Sequence, residues 1–226
     1  MSVDNLVKLI DAITQLLSVL IWPGVIVFVL LRFGQDFRQF FSRLGELTLK
    51  GAGFEASLKK KQAEATAALA AAANKAATRE DAVHEARIAV DVVAEAVTPS
   101  VIRQASRTNA LWVDDLPDNN TYERQSLEAL GIKFVLAIST EEALAQISRR
   151  RFDVIISDMG RPPDSRAGYT LLDKIRAAGN RTPFIIYASS RAPEHVAESR
   201  QHGALGCTNS ANELFEMVLS ALKHTA

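Results

Sequence analysis

Residues 111–120 read LWVDDLPDNN. A short apolar run ends on Asp114 and Asp115, Pro117 follows, and paired asparagines close the stretch. Two adjacent carboxylates disfavour each other's ionisation unless something positive lies between them. The pair therefore either faces solvent without a role or holds a cation.

The residues that follow alternate between two periods. Residues 110–113 read as a short buried strand, and residues 119–130 as a helix with Asn119 as its N-cap. Residues 133–138 form a second strand. Ser139-Thr140-Glu141-Glu142 is a capping box that opens a helix running to about Arg149. FDVIIS, residues 152–157, is a third strand that ends on Asp158. A helix over 168–178, a strand over 184–187, a helix over 193–202 with proline in its first turn, and a short edge strand over 206–208 come next. Ser210-Ala211-Asn212-Glu213 opens the last helix as a second capping box. Five strands alternating with five helices imply α/β architecture around a doubly wound five-stranded parallel sheet.

This segment, residues 108–226, resembles the response-regulator receiver (CheY-like) domain. The resemblance rests on WVDD at the end of the first strand and IISDM at the end of the third, supported by the element spacing and by GALG before the fifth strand. It implies strand order 2-1-3-4-5 and a site at the topological switch point between strands one and three. Asp114, Asp115 and Asp158 would converge there. It further implies that Asp158 is a phosphoacceptor, that Asp114, Asp115 and Asp158 hold Mg²⁺, and that the Gly160 carbonyl completes the shell. Hard carboxylate oxygens suit that ion. Two positions depart from the family pattern. Ala188 stands where the family has a Ser or Thr hydroxyl, and Ser210 where it has a Lys. The loop MGRPPDSRAG after Asp158 is long and carries Arg161 and Arg166. A loop basic residue could replace the missing lysine or be simply solvated.

Two unlike segments precede this domain. Residues 1–50 include AITQLLSVLIWPGVIVFVLL, which runs from Ala12 to Leu31 without a charge. Twenty such residues suffice for a helix across a hydrocarbon core about 30 Å thick. Trp22, Pro23 and Gly24 sit mid-span and predict a kink. A soluble pair of buried helices broken at Pro23 is the competing reading. Arg32, Arg38, Arg43 and Lys50 follow the stretch, against Lys8 alone before it. That asymmetry predicts a single-pass inner-membrane protein with its C-terminal domain in the cytoplasm. Phe33, Phe37, Phe40 and Phe41 with the arginines read as an interfacial amphipathic helix.

Residues 51–107 read as an Ala-rich helical stalk and linker. Val83, Ala86, Val90, Val93 and Val97 recur at 3-4 spacing, a coiled-coil seam. The stripe could drive self-association, pack on the next domain, or belong to a lone solvated helix. Pro99 is expected to end or kink the helix, with residues 101–107 a connector.

Across 226 residues the formal net charge is zero, which gives no footprint for nucleic acid. One cysteine, Cys207, excludes an intramolecular disulfide and a cysteine-based zinc site. The histidines form no ligand-spaced cluster. Ser189 and Ser190 with His195 lack an oriented third member for hydrolase chemistry. The expected protein is not an enzyme. It is a membrane-anchored receiver-like module that works through protein contacts and self-assembly on the membrane segment or a partner, in a stress or defence response. The alternative is a true phosphoacceptor served by a histidine kinase.

Overall fold

A computed structural model describes residues 53–73, 78–188, 190 and 192–223. The expected span from Ala12 to Leu31, with Trp22 and Pro23, lies outside them, as do the interfacial helix and Ser189. Among the described residues no helix is long and apolar enough to cross a membrane.

Residues 56–226 form one compact unit. Its centre is a parallel sheet of β1 (Asn109–Val113), β2 (Lys133–Ala137), β3 (Val154–Ser157), β4 (Phe184–Tyr187) and β5 (Gly206–Thr208), in the order β2-β1-β3-β4-β5. β1 and β3 are buried along nearly their whole length, as parallel strands covered on both faces must be. Helices α4 (Thr121–Glu128) and α8 (Ala211–Lys223) cover one face; α5 (Thr140–Arg149), α6 (Ala167–Ala177) and α7 (Pro193–Gln201) cover the other. Leu127, Phe215, Val218 and Leu222 fill the first layer, and Leu171, Leu172 and Ile175 the second.

Register brings the acids together. Val113 is paired with Ser157 across β1 and β3, so Asp114 and Asp158 leave neighbouring strands at the same level. The Asp158 amide continues the ladder by donating to the Val113 carbonyl at 3.0 Å.

The segment before the sheet differs from a continuous stalk. It forms α1 (residues 53–72) and α2 (Arg79–Ala96). Thr78 caps α2 by accepting from the Asp81 amide at 3.1 Å, with Glu80 and Asp81 in the first turn where the helix dipole favours acids. Ala65 and Leu69 of α1 and Ala89, Val93 and Val97 of the α2 region are buried in the same cluster as α8 and α4. The anticipated seam is thus divided. Val93 and Val97 face the domain core, whereas Val83 and Val90 are 48% and 53% exposed. Lys61 Nζ donates to the Ala129 carbonyl at 2.9 Å, and Gln62 Nε2 to the Val97 carbonyl at 3.0 Å.

The expected connector is helical as well. Pro99–Ala105 is a third helix, α3, with Thr98 as its N-cap and Pro99 in its first turn. α2 stops at Ala96, ahead of the proline as expected, and Pro99 then opens the next helix, where the N–H it lacks would be unpaired anyway. Val101, Ile102 and Ala105 are buried.

Leu69 is 1% exposed within this shared core. Leu69→Ala is expected to cost the whole unit about 2–5 kcal/mol. In urea titrations followed by circular dichroism, a single transition should move to lower midpoint. Two transitions, with the sheet unaffected, would show that α1 is not part of the cooperative core.

Candidate functional site: an acid pocket at the β1–β3 switch point

The pocket is built on strand ends. β1 ends at Val113 and hands the chain to Asp114; β3 ends at Ser157 and hands it to Asp158. One carboxylate oxygen from each of Asp114, Asp115 and Asp158 lies within 4.8 Å of the others. They open into a cavity of about 580 Å³, also lined by Asn119, Asn120, Gly160, Ala188 and Asn209.

Asp114 is buried and held on three sides. Its Oδ1 accepts from the Leu116 amide at 2.8 Å, and its Oδ2 from Asn120 Nδ2 at 2.6 Å and Trp112 Nε1 at 3.4 Å. Trp112 is in turn gripped edge-on by Phe134 and Tyr187, each with ring centroids 6.0 Å away. The paired asparagines therefore act differently from the expected cap. Residues Pro117–Asn120 form a 3-10 turn, α4 starts at Thr121, and Asn120 orients a carboxylate.

Asp158 is tied to Arg161. The guanidinium forms an ion pair with Asp158 Oδ1, and Arg161 is almost wholly buried. The sequence left a loop arginine open as a lysine substitute or a solvated residue; this one is internal. Arg166 instead pairs with Glu198 on the surface and stacks over Tyr169, 5.0 Å from its ring centroid. Gly168 lets α6 start against this loop. A Cβ there would lie 2.7 Å from the Asp158 carbonyl oxygen, closer than side chains come.

Burial pushes the Asp158 carboxyl up to about 6; Arg161 opposes that shift, and Asp114 and Asp115 add to it. A pocket that crowds three carboxylates in this way offers hard oxygen ligands of the kind Mg²⁺ takes. Asp114, Asp115 and Asp158 would hold the ion, and Gly160 lines the same cavity.

The two positions expected to depart from the family pattern have distinct places. Ala188 lines the cavity with a methyl group. Ser210 accepts from the Glu213 amide at 3.4 Å as the cap of α8, and its hydroxyl lies 3.4 Å from Glu85 Oε2 of α2. Asn209 is the residue after β5 that lines the cavity. Neither its position nor that of Asn120 follows from spacing alone, since each depends on how a turn aims its side chain. Ser190 does reach His195, with Oγ 2.9 Å from Nδ1. Glu198 borders the same small cavity but pairs with Arg166, so no acid orients that histidine among the described residues.

Comparison with known proteins agrees with this geometry. The response regulator receiver domain matches residues 110–217. The virulence sensor protein BvgS of Bordetella pertussis is 42% identical over 85 residues, covering 38% of this chain and 6% of that protein. Its counterpart in Bordetella bronchiseptica is 38% identical over 95 residues, covering 39% of this chain and 8% of that protein. The chain thus spans only a small part of these relatives. Among solved structures, the Francisella response regulator 1452 receiver domain is 28% identical with a TM-score of 0.49, covering 53% of this chain and all of that one (100%). CheY4 of Vibrio cholerae is 26% identical with a TM-score of 0.45, covering 50% and 98%. Residues 110–217 are accordingly a receiver domain, the module of two-component signalling, preceded here by three helices packed on it. Receiver domains commonly bind Mg²⁺ in an acidic pocket and interact with histidine kinases and other proteins.

The raised Asp158 carboxyl has a consequence for stability. An unfolded chain releases this proton near 3.8, whereas the folded domain retains it to about 6. Folded protein then binds more protons in that window, so stability falls as pH rises through it and is fully present only below it. The loss is on the order of 3 kcal/mol in metal-free protein. Thermal melts in chelator should fall between pH 4 and pH 6, against a smaller change in Asp158→Asn. Equal pH dependence in both proteins would remove Asp158 as the source.

Proposed function

We propose that this protein is a membrane-anchored receiver whose acid pocket takes a divalent cation and whose output passes by protein contact through α1, α2 and α3. The observation that carries this reading is the convergence of Asp114, Asp115 and Asp158 at the end of β1 and β3. The route outward is supported by two sets of contacts. Tyr187 and Asn209 border both the acid cavity and a second cavity of about 760 Å³ between α2 and the domain. Glu85 of α2 accepts from Asn212 Nδ2 at 2.7 Å, at the start of α8. A change at the strand ends thus meets α2 within one layer of side chains.

In this reading the protein is not an enzyme, and α2 and the uncharged run from Ala12 to Leu31 carry the signal to the inner membrane. The domain is cytoplasmic, consistent with the arginines that follow the run. Self-association of copies, or a separate protein partner, would complete the output.

A second reading is phosphoryl acceptance on Asp158 from a histidine kinase. Its support is that Asp158 lines the open cavity and that its Oδ2 has no hydrogen-bond donor among the described residues. Against it stand Ala188 and Ser210. Contacts from a hydroxyl and an ammonium would each be worth about 1.5–3 kcal/mol to a phosphoryl oxygen; Ala188 has no hydroxyl, and Ser210 has no ammonium and caps α8.

Incubation of the purified protein with acetyl phosphate and Mg²⁺ separates the two readings. The contact-module reading expects no Asp158-dependent mass gain. A gain of one phosphoryl group that disappears in Asp158→Ala would establish the second reading instead. For the membrane, deletion of residues 12–31 should move the protein from the membrane pellet to the supernatant; persistence in the pellet would remove the anchor.

A further inference from the structure

Arg161 stands behind the acid pocket rather than in it. Asp158, Met159 and Gly160 border the cavity, while the Arg161 guanidinium turns toward Thr140 at the start of α5. Its Nη1 donates to Ser157 Oγ at 2.8 Å and to the Asp158 carbonyl at 3.1 Å, besides pairing with Asp158 Oδ1. Its Nη2 donates to Thr140 Oγ1 at 3.2 Å, and its Nε is buried without a partner among the described residues. The backbone fixes the same residue. The Arg161 amide donates to the Asp164 carbonyl at 2.9 Å, and the Asp164 amide returns a bond to the Arg161 carbonyl at 2.8 Å.

A guanidinium cannot discard its proton, so a buried one has to stay paired. Asp158 Oδ1 is thereby committed from behind, and its second oxygen is the one left for whatever enters the cavity. We propose that Arg161 is the resident counter-cation of this pocket: a positioning residue that divides the two oxygens of Asp158 between itself and the incoming ion, and so sets the pocket's affinity for divalent cations. This inference rests on the cation reading above. Three carboxylates give a charge of −3, and Arg161 reduces it to −2. A hard cation binds more weakly as the ligand charge falls. The same pair keeps the Asp158 carboxylate aimed at the strand ends when no ion is there, which lets three acids share one small volume.

The test is calorimetric titration of the full chain with Mg²⁺ and Mn²⁺ at pH 8, where protons no longer compete for Asp158. Arg161→Met and Arg161→Gln should bind about 10- to 100-fold more tightly than wild type, the order expected when a positive charge several ångströms from the ion is removed. Arg161→Lys, which keeps the charge, should stay near wild type. The Gln variant retains a donor toward Asp158 and serves if the Met variant does not fold. A purely structural arginine would lower the melting temperature in all three variants and leave affinity unchanged, and that result overturns the proposal. Weaker binding in the neutral variants overturns it too, with the cation reading intact. If neither wild type nor the neutral variants bind either ion, the cation reading itself falls and the proposal with it.

Discussion

Crowding of like charge is the constraint on which the receiver end of this protein turns. Asp114, Asp115 and Asp158 are placed together by strand register, not by local sequence, because Val113 and Ser157 are paired neighbours on β1 and β3. Carboxylates this close destabilise one another, and the domain answers with donors rather than distance. Asn120, the Leu116 amide and the Trp112 indole converge on Asp114, and Arg161 on Asp158. Each donor draws another element into place. Trp112 is wedged between Phe134 and Tyr187, and Arg161 ties the loop after β3 to the first turn of α5. Much of the packing around the strand ends therefore serves to hold charges that would otherwise separate.

The alternation of apolar runs and capping boxes made the sheet and its five helices legible from sequence, and the acids at two strand ends made the pocket legible. Both signals are local, although strand register is what brings the acids together. What sequence could not reveal has a common physical cause. Pro99 was expected to end the helix before it, and α2 does stop at Ala96; that it also opens α3 depends on Thr98 capping the chain that follows. Arg161 looked like any loop arginine. Its burial depends on the backbone pair with Asp164 and on Thr140, 21 residues away in the chain. Asn120 and Asn209 reach the pocket through turns whose direction a residue count does not supply. Ser210, one residue beyond Asn209, caps α8 instead.

The helices before the sheet alter what the domain can present to others. In an isolated receiver the α4–α8 face would lie open to solvent, but here Leu69, Ala89, Val93 and Val97 join its core. That packing also explains why small residues suffice in α1. Ala65, Ala68, Ala72 and Ala73 are buried, and alanine lets two helices approach closely while costing little side-chain entropy. An alanine stripe is a poor seam for a coiled coil and a good one for lying against a neighbouring helix.

This bears on how copies of the chain could associate. Self-association through the valine stripe would need Val93 and Val97, the two members already used in the core. Val83 and Val90 remain accessible, two turns apart on one face of α2. Two half-exposed valines bury far less than the roughly 800 Å² per partner of a stable interface. A dimer built on α2 alone would be weak unless α2 left the domain. Leaving would expose Val93, Val97 and Leu69 together and strip Asn212 of its contact with Glu85. Association of α2 and its packing on the receiver are thus alternatives that draw on the same side chains. A ligand in the acid pocket shifts the balance only so far as it favours one arrangement of Tyr187 and Asn209, the residues that border both cavities.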